Sequence, residues 1–422
     1  MALRKGFSDF DLELEDFEVK KTRSLITRLY SAGSGGSIHC VPRAKDGIVY
    51  FGSMDGYVYA LRCESGELVW KFKTDGQIAG DSPEISGDVL YIGNLSGSMY
   101  AIGIKTGKRI WMFRAGGGAA NKPLFFKNRI YFGCLDGNLY CLDSGTGREI
   151  WRFRTGNEIF YSPSTWEERV YFGSGDGNFY CISAGSGKEV WRFKAGDEIW
   201  SESSSEIYGS VVYFASVDNN LYAVNAKTGK ELWRFKTGKY GNCFSPVVHN
   251  GIVYHGSRDG ILYALSLEGE ELWRFKAGGL IAVGVLINDN RIYFGSEDAN
   301  VYCLDLKTGK ELWRFKTSGQ VWSPPALWKD SVFFGSWDCR FYCISLEGKE
   351  LWRFVASDTT ICKVDPPYKI FEMVVKKSFD EADGTGEKYD LDFSGRGSDD
   401  VYSVKSEYVF ETTYATRKDY GE

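Results

Sequence analysis

Tyr293-Phe294-Gly295-Ser296-Glu297-Asp298, then Val301-Tyr302-Cys303-Leu304-Asp305, then Thr308-Gly309-Lys310-Glu311-Leu312-Trp313-Arg314-Phe315-Lys316: this stretch carries the architecture of the chain. Nearly the same text recurs around Trp70, Trp111, Trp151, Trp191, Trp233, Trp273, Trp313 and Trp352, at spacings of 39 to 42 residues. A period of about 40 residues is the size of one four-stranded propeller blade. Within each unit the Gly-Ser-x-Asp-Gly tract, as at Asp176-Gly177 and Asp259-Gly260, marks a hairpin, because Asp and Gly tolerate the positive φ of tight turns. Thr-Gly pairs such as Thr228-Gly229 mark the next turn. Between them, Leu221-Tyr222-Ala223-Val224 shows the alternation of a sheet packed on both faces. The expectation is an all-β, eight-bladed propeller of four-stranded antiparallel blades over residues 37–356, flanked by non-repeat extensions at 1–36 and 357–422.

Composition agrees with that reading. The 422 residues include 50 glycines and 16% aromatics but only 9 prolines, which suits repeated tight turns between short aromatic strands. A net charge of −5 argues against nucleic-acid binding, which normally shows a basic balance. No apolar stretch is long enough for a secretory signal or a membrane span. The expectation is a cytoplasmic monomer with its ten cysteines reduced.

The motif Ala223-x-Asn225-x-x-Thr228-Gly229-Lys230-x-x-Trp233 resembles the PQQ-like repeat of eight-bladed quinoprotein alcohol dehydrogenases and of BamB-like assembly lipoproteins. The resemblance spans roughly residues 37–356. It implies that each of the eight tryptophans packs between neighbouring blades. Dehydrogenases of that type use a pair of adjacent cysteines beside the quinone, a carboxylate-bound calcium or lanthanide and an Asp base. This sequence has neither adjacent cysteines nor a C-x-x-C-H haem site. No cofactor is therefore expected, and PQQ with calcium belongs to the alternative in which the protein is an oxidoreductase or small-molecule binder.

The least repetitive part of each unit is the segment just before its Tyr-Phe-Gly-Ser text, expected to be the innermost strand facing a central funnel. Candidate ligand- or partner-binding residues there are Asp81, Asn121, Phe160, Tyr161, Trp200, Glu202, Tyr240, Asn242 and Trp322, with His39, Lys122, Glu198 and Gln320 in matching positions. Such a funnel would stack a planar ligand or grip a peptide; alternatively, these side chains simply fill a narrow channel. Glu202 and Asp81 are the carboxylates placed to serve as metal ligand or base. Cys141, Cys181, Cys303 and Cys343 occupy a slot held elsewhere by Ala60, Ala101, Ala223 and Ala264, so they read as small buried residues. Cys40 and Cys243 read as exposed thiols, and His249 and His255 as turn and strand residues of the sixth blade.

The repeated Trp-Arg-Phe-Lys text suggests either a functional ring of cations or outer edge strands protected by charge, and the second is expected. Outside the repeats, Phe17-Glu18-Val19-Lys20 alternates like a strand and the segment to Tyr30 suits a short helix. Residues 357–422 carry fifteen acidic against nine basic side chains and strand-like alternation near Ile370–375 and 402–414. Their Asp380–Gly384 run misses the calcium-loop spacing and reads as a solvated turn. The extension suits a docking element for a basic partner or a solubilising tail. The sequence as a whole points to a non-catalytic protein-interaction scaffold.

Overall fold

A computed structural model describes residues 36–356 apart from 81, 82, 120, 200, 243, 245, 282 and 283, and four strands of the C-terminal segment. The expected strand near Phe17 and helix near Tyr30, and the turn at Asp380–Gly384, lie outside the described residues. The chain divides into two compact units, Met1–Val364 and Asp365–Glu422.

The first unit is an eight-bladed β-propeller. Each blade is a four-stranded antiparallel sheet whose strands follow one another in the sequence. The fourth blade shows the plan: Ser164–Trp166, Arg169–Gly173, Asn178–Ser183 and Glu189–Lys194. The first strand is short and innermost, and the middle two are buried on both faces. The fourth alternates exposed and half-buried residues on the rim.

The apolar core is divided among the seams between blades. Each tryptophan closes one of them. Trp111 donates its indole N–H to the carbonyl of Ser144 in the next blade at 2.8 Å, and its ring lies where a Cβ on Gly147 would sit 2.7 Å away. Gly147 has φ +71°, so the position requires glycine twice over. In its own blade the tryptophan stands opposite a small residue, as in Ala101↔Trp111 and Cys141↔Trp151, immediately before a bulge in the ladder. That explains the Ala/Cys slot: a larger side chain would meet the indole. Burial pushes the Cys141 and Cys181 thiols up to about 11.

A second latch repeats inside the turns. Asp176 accepts hydrogen bonds from the Asn178 N–H at 2.9 Å, the Tyr180 hydroxyl at 2.7 Å and, across the seam, the Gly156 N–H at 2.8 Å. On the rim, Glu271 and Arg274 pair at 2.5 Å, with the guanidinium 5.3 Å from the centre of the Tyr263 ring. The same Glu–Arg pairing recurs in the third, fourth, fifth, seventh and eighth blades, so these rim arginines are charge-compensated.

Among the described residues each blade keeps four consecutive strands, and the ring closes between the eighth blade and the first. Trp352 donates to the carbonyl of Cys63 at 3.0 Å, Phe341 stacks on Phe51 at 4.0 Å, and the Ile38 N–H reaches the carbonyl of Ser336 at 3.2 Å. One expectation about cysteine fails. Cys339 is disulfide-bonded.

In the second unit, Met373–Ser378, Lys388–Phe393, Tyr402–Glu407 and Val409–Glu411 form a four-stranded antiparallel meander.

Candidate functional site

The segments joining successive blades line the ring axis, and alternate residues in them do different work. Ile159 is fully buried; its N–H donates to the Cys134 carbonyl of the third blade at 3.0 Å, and its side chain covers Gly133. Ile38, Ile78, Ala119, Ile199, Asn242, Ile281 and Val321 make the equivalent backbone bond. These residues hold neighbouring blades together.

Several sequence candidates fall on the buried parity of these segments. The Asn121 amide donates to the carbonyls of Gly133 at 3.0 Å and Ile159 at 3.3 Å and accepts from the Gly133 N–H, so its polar atoms are engaged with backbone. Tyr161 is fully buried, edge-on to Phe179 at 5.9 Å, and its segment pairs in parallel with Ser201–Ser204. Asn242 is fully buried and donates to the Thr237 hydroxyl at 2.9 Å. Tyr240 is 56% exposed with φ 87°. Asp81 and Trp200 lie outside the described residues, as does the side chain of Glu202. Cys40, expected as an exposed thiol, is fully buried: its Sγ donates to the Gly52 carbonyl at 3.2 Å and accepts from the Gly52 N–H at 3.1 Å.

Phe160 and Trp322 sit on the other parity, where they meet residues of the second-to-third-strand turns. Phe160 and Leu95 pack against Met54 and Ala79. Phe160 opens the fourth blade whereas Met54 belongs to the first, and side chains from those blades meet only at the axis. Met54 and Leu95 occupy the variable position of the Gly-Ser-x-Asp-Gly turn. Around the ring that position reads Met54, Leu95, Leu135, Gly175, Val217, Arg258, Glu297 and Trp337. Its backbone N–H donates to the connecting segment, as in Leu135 to Gly118 at 2.9 Å and Val217 to Glu198 at 3.1 Å. One end of the axis is thus aliphatic in the first, second, third and fifth blades, with Gly175 in the fourth, and charged or aromatic from the sixth to the eighth.

The polar half is electrostatically distinctive. Burial pushes the Glu297 carboxyl up to about 7, against the opposing pull of the Arg258 charge. Trp337 stacks on His39 at 4.9 Å and meets Trp322 at 5.0 Å. Burial lowers His39 to about 3, so the imidazole is neutral at physiological pH. A separate ionic chain links the first three blades: Lys122 pairs with Glu84 at 3.1 Å, and Arg43 approaches the same carboxylate at 3.9 Å.

A family profile described as outer membrane protein assembly factor BamB matches residues 18–152, 97–260 and 258–367. The chain belongs to this family. No curated protein matches the sequence. Among solved structures it is similar to BamB from Moraxella catarrhalis, with 20% identity and TM-score 0.60 over 73% of this chain and 91% of that one. It is also similar to the computationally designed Ika8 protein, with 18% identity and TM-score 0.65 over 75% of this chain and 96% of that one. At these identities the solved structures speak for the BamB-like fold alone. Among the described residues no group of three or more His, Cys, Asp or Glu is placed to hold a metal ion. What the mouth presents is an apolar face beside a charged and aromatic one.

Proposed function

We propose that the protein is a non-catalytic interaction scaffold whose axial mouth receives a protein partner. The observation that carries this reading is the division of the turn positions: Leu95, Leu135 and Val217 half-buried on one side, with Met54 buried against Leu95 and Phe160, and Arg258, Glu297 and Trp337 on the other. A protein segment suits such a surface, with apolar side chains over the aliphatic half and polar groups over the charged one. The family description, an assembly factor, supports a protein partner in general terms.

The test is a tagged Leu135→Asp/Val217→Asp double variant isolated from its own cells beside the wild type. A protein that co-purifies with the wild type is expected to be lost from the variant, with the melting transition nearly unchanged. Equal recovery from both proteins would overturn the proposal.

A further inference from the structure

One core position departs from the repeat in chemistry. The residue before the Gly that closes the second strand (Ala215 in the fifth blade) is Phe51, Phe132, Phe172, Phe214, Phe294 or Phe334 in six blades and Ile92 in another. Each phenylalanine stacks on the third-strand tyrosine opposite, as Phe214 does on Tyr222 and Phe294 on Tyr302, both at 5.3 Å. Each also meets the preceding blade; Phe214 lies edge-on to Phe193 at 5.8 Å. In the sixth blade the position is His255, paired with Tyr263 in the ladder. The ring is fully buried, and neither nitrogen has a hydrogen-bond partner among the described residues.

A neutral imidazole carries one N–H and one acceptor, so this site leaves a polar pair unsatisfied where every other blade places hydrocarbon. The side chains gathered at the seam of the fifth and sixth blades are apolar, including Leu221, Val253 and Phe235. Titratable neighbours come from the histidine's own sheet: Asp259 in the following turn, and Tyr263, whose hydroxyl is committed to Asp259 at 2.7 Å. On the fifth-blade side of the apolar cluster lies Tyr213, whose hydroxyl burial pushes up to about 12.

We propose that His255 makes the seam between the fifth and sixth blades an acid-sensitive joint, which opens when the imidazole is protonated. A cation there lacks both water and a hydrogen-bonded counter-ion, and the seam relieves this by exposing it. Burial lowers the histidine to about 4 from its ordinary 6.5, despite the opposing charge of Asp259. The sign follows from linkage. Above 6.5 the open and closed forms are both neutral and pH has no effect. As pH falls from 6.5 towards 4 only the open form binds the proton, so opening rises by up to tenfold per pH unit.

Hydrogen exchange in the full-length protein tests this directly, with rates corrected for intrinsic pH dependence and compared between pH 7.5 and 4.5. The wild type is expected to lose protection in Ile252–Gly256 and Asn220–Asn225 as pH falls. In His255→Phe that dependence disappears, while the seam between the seventh and eighth blades behaves alike in both proteins. An unchanged pH dependence in His255→Phe would overturn the proposal. So would a wild-type His255 titration near 6.5 in an NMR experiment, a readout that needs no variant.

Discussion

The rim and the axial mouth of the propeller are built from the same repeat yet follow opposite rules. On the rim, the third to eighth blades each present a glutamate paired with an arginine that lies over a tyrosine, and every blade docks a tryptophan on the next blade's glycine. At the mouth, one turn position runs through aliphatic, small, charged and aromatic residues within a single ring. A closed ring needs eight seams that fit one another, which holds the rim to uniform geometry. The mouth carries no such constraint, because its backbone bonds are made by N–H groups regardless of side chain. Variation there is free to serve recognition.

The largest effect that would sharpen this contrast is Trp111→Ala. Losing a seam indole with its hydrogen bond should cost about 3–5 kcal/mol, read as a lower urea midpoint. Next, Asp176→Ala removes a carboxylate that accepts four hydrogen bonds, two of them from backbone N–H groups, and should cost about 1–3 kcal/mol. Burial raises the Asp176 carboxyl, but the hydrogen bonds from Tyr180, Asn178 and Gly156 outweigh it and leave it below the usual value. Its stabilising contribution is therefore complete above the unfolded value of 3.8 and disappears as pH falls through the lower folded value. The acid limb of the unfolding curve should accordingly flatten in Asp176→Ala.

Smaller changes test the other side of the contrast. Leu135→Asp at the mouth should alter stability by less than about 1 kcal/mol, since the site is partly open to solvent. Glu271→Gln on the rim should cost no more than about 0.5 kcal/mol, because an exposed ion pair gains little in water. A rim pair worth several kcal/mol, or a mouth residue as costly as Trp111, would break the comparison.

The blades and their seam tryptophans are legible in the sequence because ring closure repeats them almost letter for letter. The site was harder to read. Asn121 and Asn242 look like ligand-binding residues by type, but the parity of the connecting segment turns them onto backbone and the Thr237 hydroxyl. That parity depends on which residue plugs the seam. Ile38, Ile78, Ile159, Ile199 and Ile281 mark it plainly once their shared alignment is noticed. The turn position occupied by Leu135, Val217, Arg258 and Trp337 was concealed by sitting inside the most regular motif of the chain. His255 was legible as a strand residue but not as a buried one, since only the neighbouring blade removes its access to water.

The most direct test of the division between rim and mouth is a photo-crosslinking scan in the cells that make the protein. A light-activated residue would replace Leu135, Val217 or Trp337 at the mouth, and Leu232, Leu272 or Leu312 on the rim. The account predicts a discrete protein adduct from the mouth positions and none from the rim. Adducts from the rim with none from the mouth would contradict it.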